Sequence, residues 1–405
     1  MQTQNLTQCF KTKSEIIERK LPKINGNNQY RSKTIIAIDG GYSSVKGVSP
    51  NKIFMFPSYA KRAPEGLEVI GKMKADDLQF RNDETGEVWV IGRTAEGLMD
   101  QTDIDSTTDA SLFTRYRYDS PVFKAIMSTG IALGLSGTGK ADDIYLQTGL
   151  PATYKERDQN KLVKALAGHY EISIKVGNNP WWPFVFDLPE TNINVMEQPQ
   201  GTLCACVYNN GDVSDLGKNI LQSKGTCILD IGFGTEDTFL AKNGFKINDK
   251  KKTYSDTAMK SVFERVLSQV HNDYEESFKV FELQSFLETG KISYFDQETF
   301  STQEIDFSDY LEKANKELCE KSIRRLMQDN DNLIGYKYLI VTGGTGESRF
   351  EQIKDMLSGI HNLTILPGNI NTPDLSFAYS NVMGYYMYRY AQFNAEMKKL
   401  MQTKG

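Results

Sequence analysis

One device occurs twice in this chain and limits what it can fold into. Residues 35–46 read IIAIDGGYSSVK, and residues 227–240 read CILDIGFGTEDTFL. Each is an apolar run, an aspartate, a glycine within two positions, a hydroxyl residue and a second strand-like run. Each opens one half of the 405 residues. A short apolar run bounded by turn residues reads as a strand buried on both faces. Glycine after it lets backbone N–H groups approach an anion closely. One such turn alone is a hairpin shaped by Gly and Asp. Two, one in each half, predict domains whose turns face one another across a cleft and grip a phosphate chain from both sides.

The rest of the pattern fits two α/β domains. Strand-like DIYLQTGLP, YEISIKVG, TNINVM and YKYLIV alternate with helical segments. One helical segment, 120–135, has Ser120 as its cap and Pro121 in its first turn. We divide the chain into an N-terminal extension, 1–33, a first domain, 34–197, completed by a C-terminal helix, 376–405, and a second domain, 198–375. The extension reads as a loose tail with a short helix, SEIIERKL, starting at Ser14. The helix SDTAMKSVFERVLSQV takes Asp256 or Ser255 as its cap, and 271–330 reads as mostly helical.

Composition removes several function classes. Hydrophobic content of 39% and charged content of 24% are those of a soluble globular chain. A net charge of −5 with scattered basic residues argues against direct DNA binding. Five cysteines without metal-ligand spacing read as reduced cytosolic thiols. His169, His271 and His361 are isolated and read as surface or internally satisfied groups. Neither a signal peptide nor a membrane span is expected, which points to the cytoplasm.

The carboxylates need a reason beside a phosphate site. A nucleoside triphosphate arrives with magnesium, which prefers oxygen ligands and keeps several waters. Asp39 and Asp230 at strand ends would orient those waters. Lys46 would reach back over its turn as a point charge, with Ser43, Ser44 and Thr235 as hydroxyl donors. A third turn, Gly343-Gly344-Thr345-Gly346 after YLIV, suits close packing against a base or sugar. Neither GxxxxGK[ST] nor GxGxxG occurs in strand–helix context.

These three turns, in this order, resemble those of the actin, sugar-kinase and chaperone superfamily, with its duplicated RNase H-like α/β domains. Within it the sequence is similar to bacterial plasmid-segregation actins of the ParM type. DGGYSSVK looks like the first phosphate loop, DIGFGTED the second and VTGGTGE the adenosine loop. FPSYA, VIGRTA and TGLPATY add shorter matches, and the resemblance spans roughly 34–390. It implies nucleotide contacts from Gly40, Gly41, Tyr42, Ser43, Ser44 and Lys46, with Ser44 standing where such loops often carry Asn. It implies the same of Gly232, Phe233, Gly234, Thr235, Glu236 and Asp237, and of Gly343, Gly344, Thr345, Gly346 and Glu347. Asp39 and Asp230 would hold Mg2+ through water and serve catalysis. In NVMEQPQG, Gln198 before Pro199 is the preferred residue to orient the attacking water. Glu197 is the alternative, and one of the two could instead cap the following helix.

The resemblance implies a cytoplasmic ATPase, with GTP also possible, that polymerises with itself and moves plasmid DNA through an adaptor of ParR type. Neither direct DNA binding nor membrane binding is expected. Two other readings compete. A small-molecule kinase of the same fold would need a carboxylate base, for which Asp142 and Asp143 are candidates. A cell-shape or division actin would need an amphipathic end, to which 392–404 corresponds only weakly. Trp181-Trp182 reads as a packing turn, YYMYRY at 385–390 as core and interface, and KNGFKINDKKKTY as a solvated hairpin.

Overall fold

The computed structural model describes residues 6–26, 31–63, 72–99, 117–138 and 143–402. The chain divides into a larger unit, residues 12–218 with 379–405, and a smaller one, residues 1–11 with 219–378. In the larger unit the strands are β1 (Glu15–Glu18), β2 (Lys33–Gly40), β3 (Ser44–Val48), β4 (Lys52–Pro57), β5 (Ala60–Arg62), β6 (Leu78–Asn82), β7 (Val88–Ile91), β8 (Asp143–Leu150), β9 (Gly168–Val176), β10 (Trp182–Leu188) and β11 (Ile193–Glu197). They form a six-stranded sheet in the order β1-β4-β3-β2-β8-β11 and a five-stranded sheet in the order β10-β9-β6-β7-β5. A small hairpin, β12 (Tyr208–Asn209) with β13 (Asp212–Val213), completes the unit.

The apolar run of β2 is buried along nearly its whole length, because both its faces are covered. Helix Pro121–Leu135 lies on one face, with Ser120 accepting from Phe123 N as its cap. Gly130 and Gly134, one turn apart, let it approach closely. A Cβ at Gly134 would come within 2.7 Å of Ile36, and one at Gly130 within 3.2 Å of Ile38. Helix Ser380–Gln402 crosses helix Gln198–Val207 through a second glycine contact. A Cβ at Gly384 would sit 1.7 Å from the Gly201 carbonyl oxygen. Tyr385 and Tyr386 are buried in this packing, as the core reading of YYMYRY expects.

The smaller unit repeats the central motif. β14 (Thr226–Ile231) and β15 (Glu236–Lys242) form an antiparallel hairpin, with β16 (Phe245–Lys246) and β17 (Lys252–Tyr254) on its outer side. A separate hairpin joins β18 (Lys291–Asp296) to β19 (Ser301–Asp306). β20 (Tyr338–Thr342) pairs parallel with β14, and β21 (Thr364–Pro367) parallel with β20. In the larger unit β3 and β2 likewise form the hairpin, and β8 and β11 the parallel continuation. The duplicated α/β organisation expected from the two acid–glycine turns is therefore present in the strand order of both units.

Several sequence expectations are corrected. SEIIERKL contributes β1, which pairs antiparallel with β4, so residues 15–18 extend a sheet. Phe10 is buried in the smaller unit, edge-to-face with Phe263 at 6.4 Å. The described part of the extension is thus built into the fold. The break between units falls at 218–219 instead of 198, because helix Gln198–Val207 packs on the C-terminal helix. Helix Met259–Tyr274 has Ala258 at its N-cap with no side-chain cap. Asp256 instead holds Lys321 and Arg325 at 2.7 Å each, and these cations keep its carboxyl well below the usual range. Residues 291–306 are the β18–β19 hairpin inside a stretch expected to be mostly helical. Trp182 opens an edge strand and is exposed, stacked on Phe184 at 5.8 Å, while Arg81 lies over Trp181.

Candidate functional site

The first turn lies in the larger unit. Asp39, the next-to-last residue of β2, is only 4% exposed, and the hairpin register sets it opposite Lys46. The Lys46 ammonium lies 3.8 Å from Asp39 Oδ2 and donates to the Ser44 carbonyl at 3.3 Å. Gln198, the first residue of its helix, donates from Nε2 to Asp39 Oδ1 at 2.8 Å. It can do so because β2, β8 and β11 are parallel neighbours, so Asp39 and the β11–helix junction lie at the same carboxyl ends. In open α/β sheets ligands bind outside those ends. Glu197 occupies the N-cap position, is buried, and makes no side-chain cap.

The turn itself is tightly held. A Cβ on Gly41 would lie 2.8 Å from the Ser44 carbonyl and 2.9 Å from Lys46 Nζ, so the position excludes a side chain. Ser58 donates to the Gly41 carbonyl at 2.9 Å, and its own backbone N–H donates to the Ser43 carbonyl. Arg117 donates to Gly41 O at 3.1 Å and also to Gly40 O, with its guanidinium over the Tyr42 ring. Ser58 and Arg117 were not singled out from the sequence. Ser58 lies inside FPSYA, one of the shorter segments of resemblance, but Arg117 carries no local signal.

The second and third turns belong to the smaller unit and share one packing. Asp230, 6% exposed, is the next-to-last residue of β14 and lies opposite Asp237 of β15 and Thr342 of β20. Gly232 N donates to the Thr235 carbonyl at 2.8 Å and closes the second turn. The Gly232 and Phe233 carbonyls accept from the backbone N–H groups of Met259 and Lys260 at the start of the next helix. Thr345 donates to the Gly232 carbonyl at 2.9 Å and so pins the third turn to the second. Gly343 has φ of 83°, and a Cβ there would meet Ile231 O at 2.3 Å and Asp230 Oδ1 at 2.7 Å. Only glycine fits at that position.

The residues expected to contact nucleotide divide into two groups. Gly40, Gly41, Tyr42, Ser43, Ser44, Lys46, Gln198 and Asp39 gather about the first turn. Asp230, Gly232, Gly234, Thr235, Gly343, Gly344, Thr345 and Gly346 gather about the other two. Four others face inward. Phe233 packs edge-to-face on Phe263 at 6.0 Å. Asp237 accepts from Thr253. Glu347 accepts from Ser376 Oγ and from Phe377 N at 3.2 Å, fastening the chain after β21. Glu236 is buried beside Thr257, Ser322 and Arg349, and burial pushes its carboxyl up. Glu236 and Asp237 open β15, a strand buried on both faces, so these consecutive side chains point into packed layers on its opposite sides.

Outside these turns, Asp143 begins β8 and pairs with Arg31 at 3.5 Å near the surface. Asp142 lies outside the described residues, as do the last residues of 392–404. Cys204, Cys206, Cys227 and Cys319 are buried, and burial pushes each thiol up to about 12. Among the described residues no group of three or more His, Cys, Asp or Glu could hold a metal by itself. No described helix is long and apolar enough to cross a membrane.

Residues 37–201 match a family model described as the N-terminal domain of actin-like proteins. No curated protein matches the sequence. Among solved structures, a non-polymerisable quadruple mutant of pCBH ParM superposes with a TM-score of 0.67 at 19% identity, covering 90% of this chain and 100% of that one. A 15-stranded ParM filament from Clostridium botulinum gives 0.66 at 19% identity, over 88% of this chain and 99% of that one. The archaeal actin homolog Ta0583 in complex with ADP gives 0.60 at 14% identity, over 87% and 97%. The chain thus has an actin-like fold, and residues 37–201 match the model of the actin-like N-terminal domain.

Proposed function

We propose that this chain is a nucleotide-dependent, filament-forming actin-like ATPase. The observation that carries the reading is the pair of buried carboxylates, Asp39 and Asp230. Each is the next-to-last residue of a strand, and each lies beside a glycine position that admits no side chain. These residues fit a magnesium nucleotide. Magnesium takes one or two carboxylates, keeps several waters and draws its remaining ligands from phosphates. Bound magnesium nucleotide would supply the phosphoryl group and the neutralising charge. Asp39 and Asp230 would hold magnesium-bound water, and Lys46 would lie over the phosphates. The Gln198 amide N–H is engaged by Asp39, which leaves its carbonyl oxygen to orient a water. Phosphoryl transfer demands chiefly positioning and charge stabilisation, so a glutamine can suffice.

ATP is the preferred nucleotide and GTP the alternative. The relative solved with ADP supports nucleotide binding, and the relative solved as a filament supports self-assembly. By the same reading the filament works in the cytoplasm and moves plasmid DNA through a DNA-binding adaptor of ParR type.

The test is sedimentation and phosphate release with magnesium ATP, with ADP and without nucleotide. Wild type is expected to pellet with ATP and to release phosphate without any acceptor molecule. Asp230→Ala is expected to fold, by circular dichroism, and to lose at least about a hundredfold in hydrolysis rate. Full activity in that variant would refute the role given to the second turn. Strict dependence of phosphate release on a sugar would favour the kinase reading instead.

A further inference from the structure

Two exposed apolar surfaces of the smaller unit take no part in the turns described above. The first is the tip of the β18–β19 hairpin. Its base is anchored by Ile292 and Ile305, both buried in the core. At its tip Phe295 and Phe300 are 59% and 81% exposed, with their rings edge-to-face at 6.3 Å. The tip is pre-shaped. Asp296 accepts from the backbone N–H of Glu298 at 2.8 Å and from Thr299 Oγ1 at 2.7 Å. Phe300 is held at φ of 49°, a conformation that is costly for a bulky side chain.

The second surface carries Phe245, 75% exposed, at the start of β16, and Ile334, 77% exposed, before β20. An ion pair of 2.8 Å between Lys250 and Asp331 joins the two segments into one face. The two surfaces have opposite charge. The hairpin, 291–306, has one lysine against four carboxylates. Segments 242–252 and 331–337 together have six lysines against two aspartates. The lysine-rich stretch that tempts a nucleic-acid reading therefore has a counterpart of opposite sign on the same chain.

We propose that the hairpin tip of one copy docks, Phe295 and Phe300 first, onto the Phe245–Ile334 face of the next copy. This rests on the filament reading and supplies its contact. The two surfaces flank opposite ends of helix Ser308–Asp329: β19 ends just before it, and Ile334 follows it. That helix has 22 residues, a span of about 33 Å. A rigid helix of that length keeps the two surfaces of one copy apart, so each is left for another copy. Contacts between unlike patches repeat into open chains instead of closing as a dimer. Opposite charge steers the approach, and burial of the aromatic anchors holds the contact.

The test uses the full chain with magnesium ATP. Phe295→Ser/Phe300→Ser removes the tip, and Phe245→Ser/Ile334→Ser removes the face. All four side chains are exposed, so both variants are expected to keep the wild-type melting profile. Each is expected to raise the critical concentration for sedimentation at least about tenfold. Mixed in equal amounts, they retain one good tip and one good face, so the mixture is expected to stop at dimers. Wild-type polymerisation of either variant overturns the contact while leaving the filament reading intact. If wild type itself stays in the supernatant under every nucleotide condition, the filament reading falls. The contact is then decided by Phe300→Cys/Ile334→Cys in a Cys9→Ser background. Intermolecular disulfide ladders under mild oxidation support it, and monomers alone overturn it.

Discussion

Gln198 is the first residue of its helix, and its side chain turns back to donate to Asp39 at 2.8 Å. A glutamine held by its N–H end presents its oxygen in a fixed direction, which is the geometry that orients a water. Glu197 next to it is buried under the same helix start. Gln198→Ala is expected to lower single-turnover hydrolysis about a hundredfold and to change nucleotide affinity by less than about threefold. Rapid-quench kinetics beside a nucleotide titration check the split. Glu197→Gln is expected to cost much less in rate, since it keeps shape and burial. If Glu197→Gln silences hydrolysis and Gln198→Ala does not, the two roles are reversed. The sequence narrowed the choice to this pair and preferred Gln198 because it precedes Pro199, and the Asp39 contact supports that preference.

The helices of the smaller unit meet at a buried polar cluster beneath the second turn. Arg349, fully buried, donates to Asn315 Oδ1 and to the Thr257 carbonyl, each at 2.8 Å. Glu236 lies in the same cluster, where burial raises its carboxyl and Thr257, Ser322 and Arg349 oppose the rise. A carboxyl whose folded value is raised binds protons more readily in the native state. Its contribution to stability is therefore present at low pH and lost as pH climbs from the ordinary carboxylate value through the raised one. Glu236→Gln is expected to flatten that slope, so its urea midpoint should fall less than that of wild type between pH 4.5 and 8. Equal slopes would mean that Glu236 is charged throughout. What was legible at this scale was whatever repeats locally. The apolar runs of β2 and β14, Ser120 before Pro121, and the glycine turns could each be read from a few adjacent residues. The cluster could not, because Glu236, Thr257, Asn315, Ser322 and Arg349 come together only when a strand, a loop and two helices pack. Arg117 escaped for the same reason, reaching Gly41 across 76 residues of sequence.

At the scale of the whole chain, the repeated hairpin-plus-parallel strand order carries the fold, and the first 26 residues were the part most misread. EIIE is too short to show a period, and Phe10 is one aromatic in a polar stretch, so neither announces its burial. Yet β1 covers the edge of β4, and Tyr379 and Tyr386 donate to Glu15 and to the Pro22 carbonyl. Phe10 fills the core around Phe263 in the smaller unit. Removal of a buried phenylalanine costs about 3–5 kcal/mol, worth roughly 6–20 °C in a domain of this size. Deletion of residues 1–11 is therefore expected to lower the melting midpoint seen by circular dichroism by about that amount. All three tryptophans, Trp89, Trp181 and Trp182, lie in the larger unit. Their fluorescence midpoint is expected to stay within about 2 °C of wild type in that deletion. Deletion of residues 1–26 also uncovers β4 and strips two tyrosine hydroxyls of their acceptors, so it should lower the fluorescence midpoint as well. A chain lacking residues 1–26 that melts like wild type by both probes would return the segment to the status of a loose tail. A fluorescence midpoint that drops already with residues 1–11 would mean that both units melt as one.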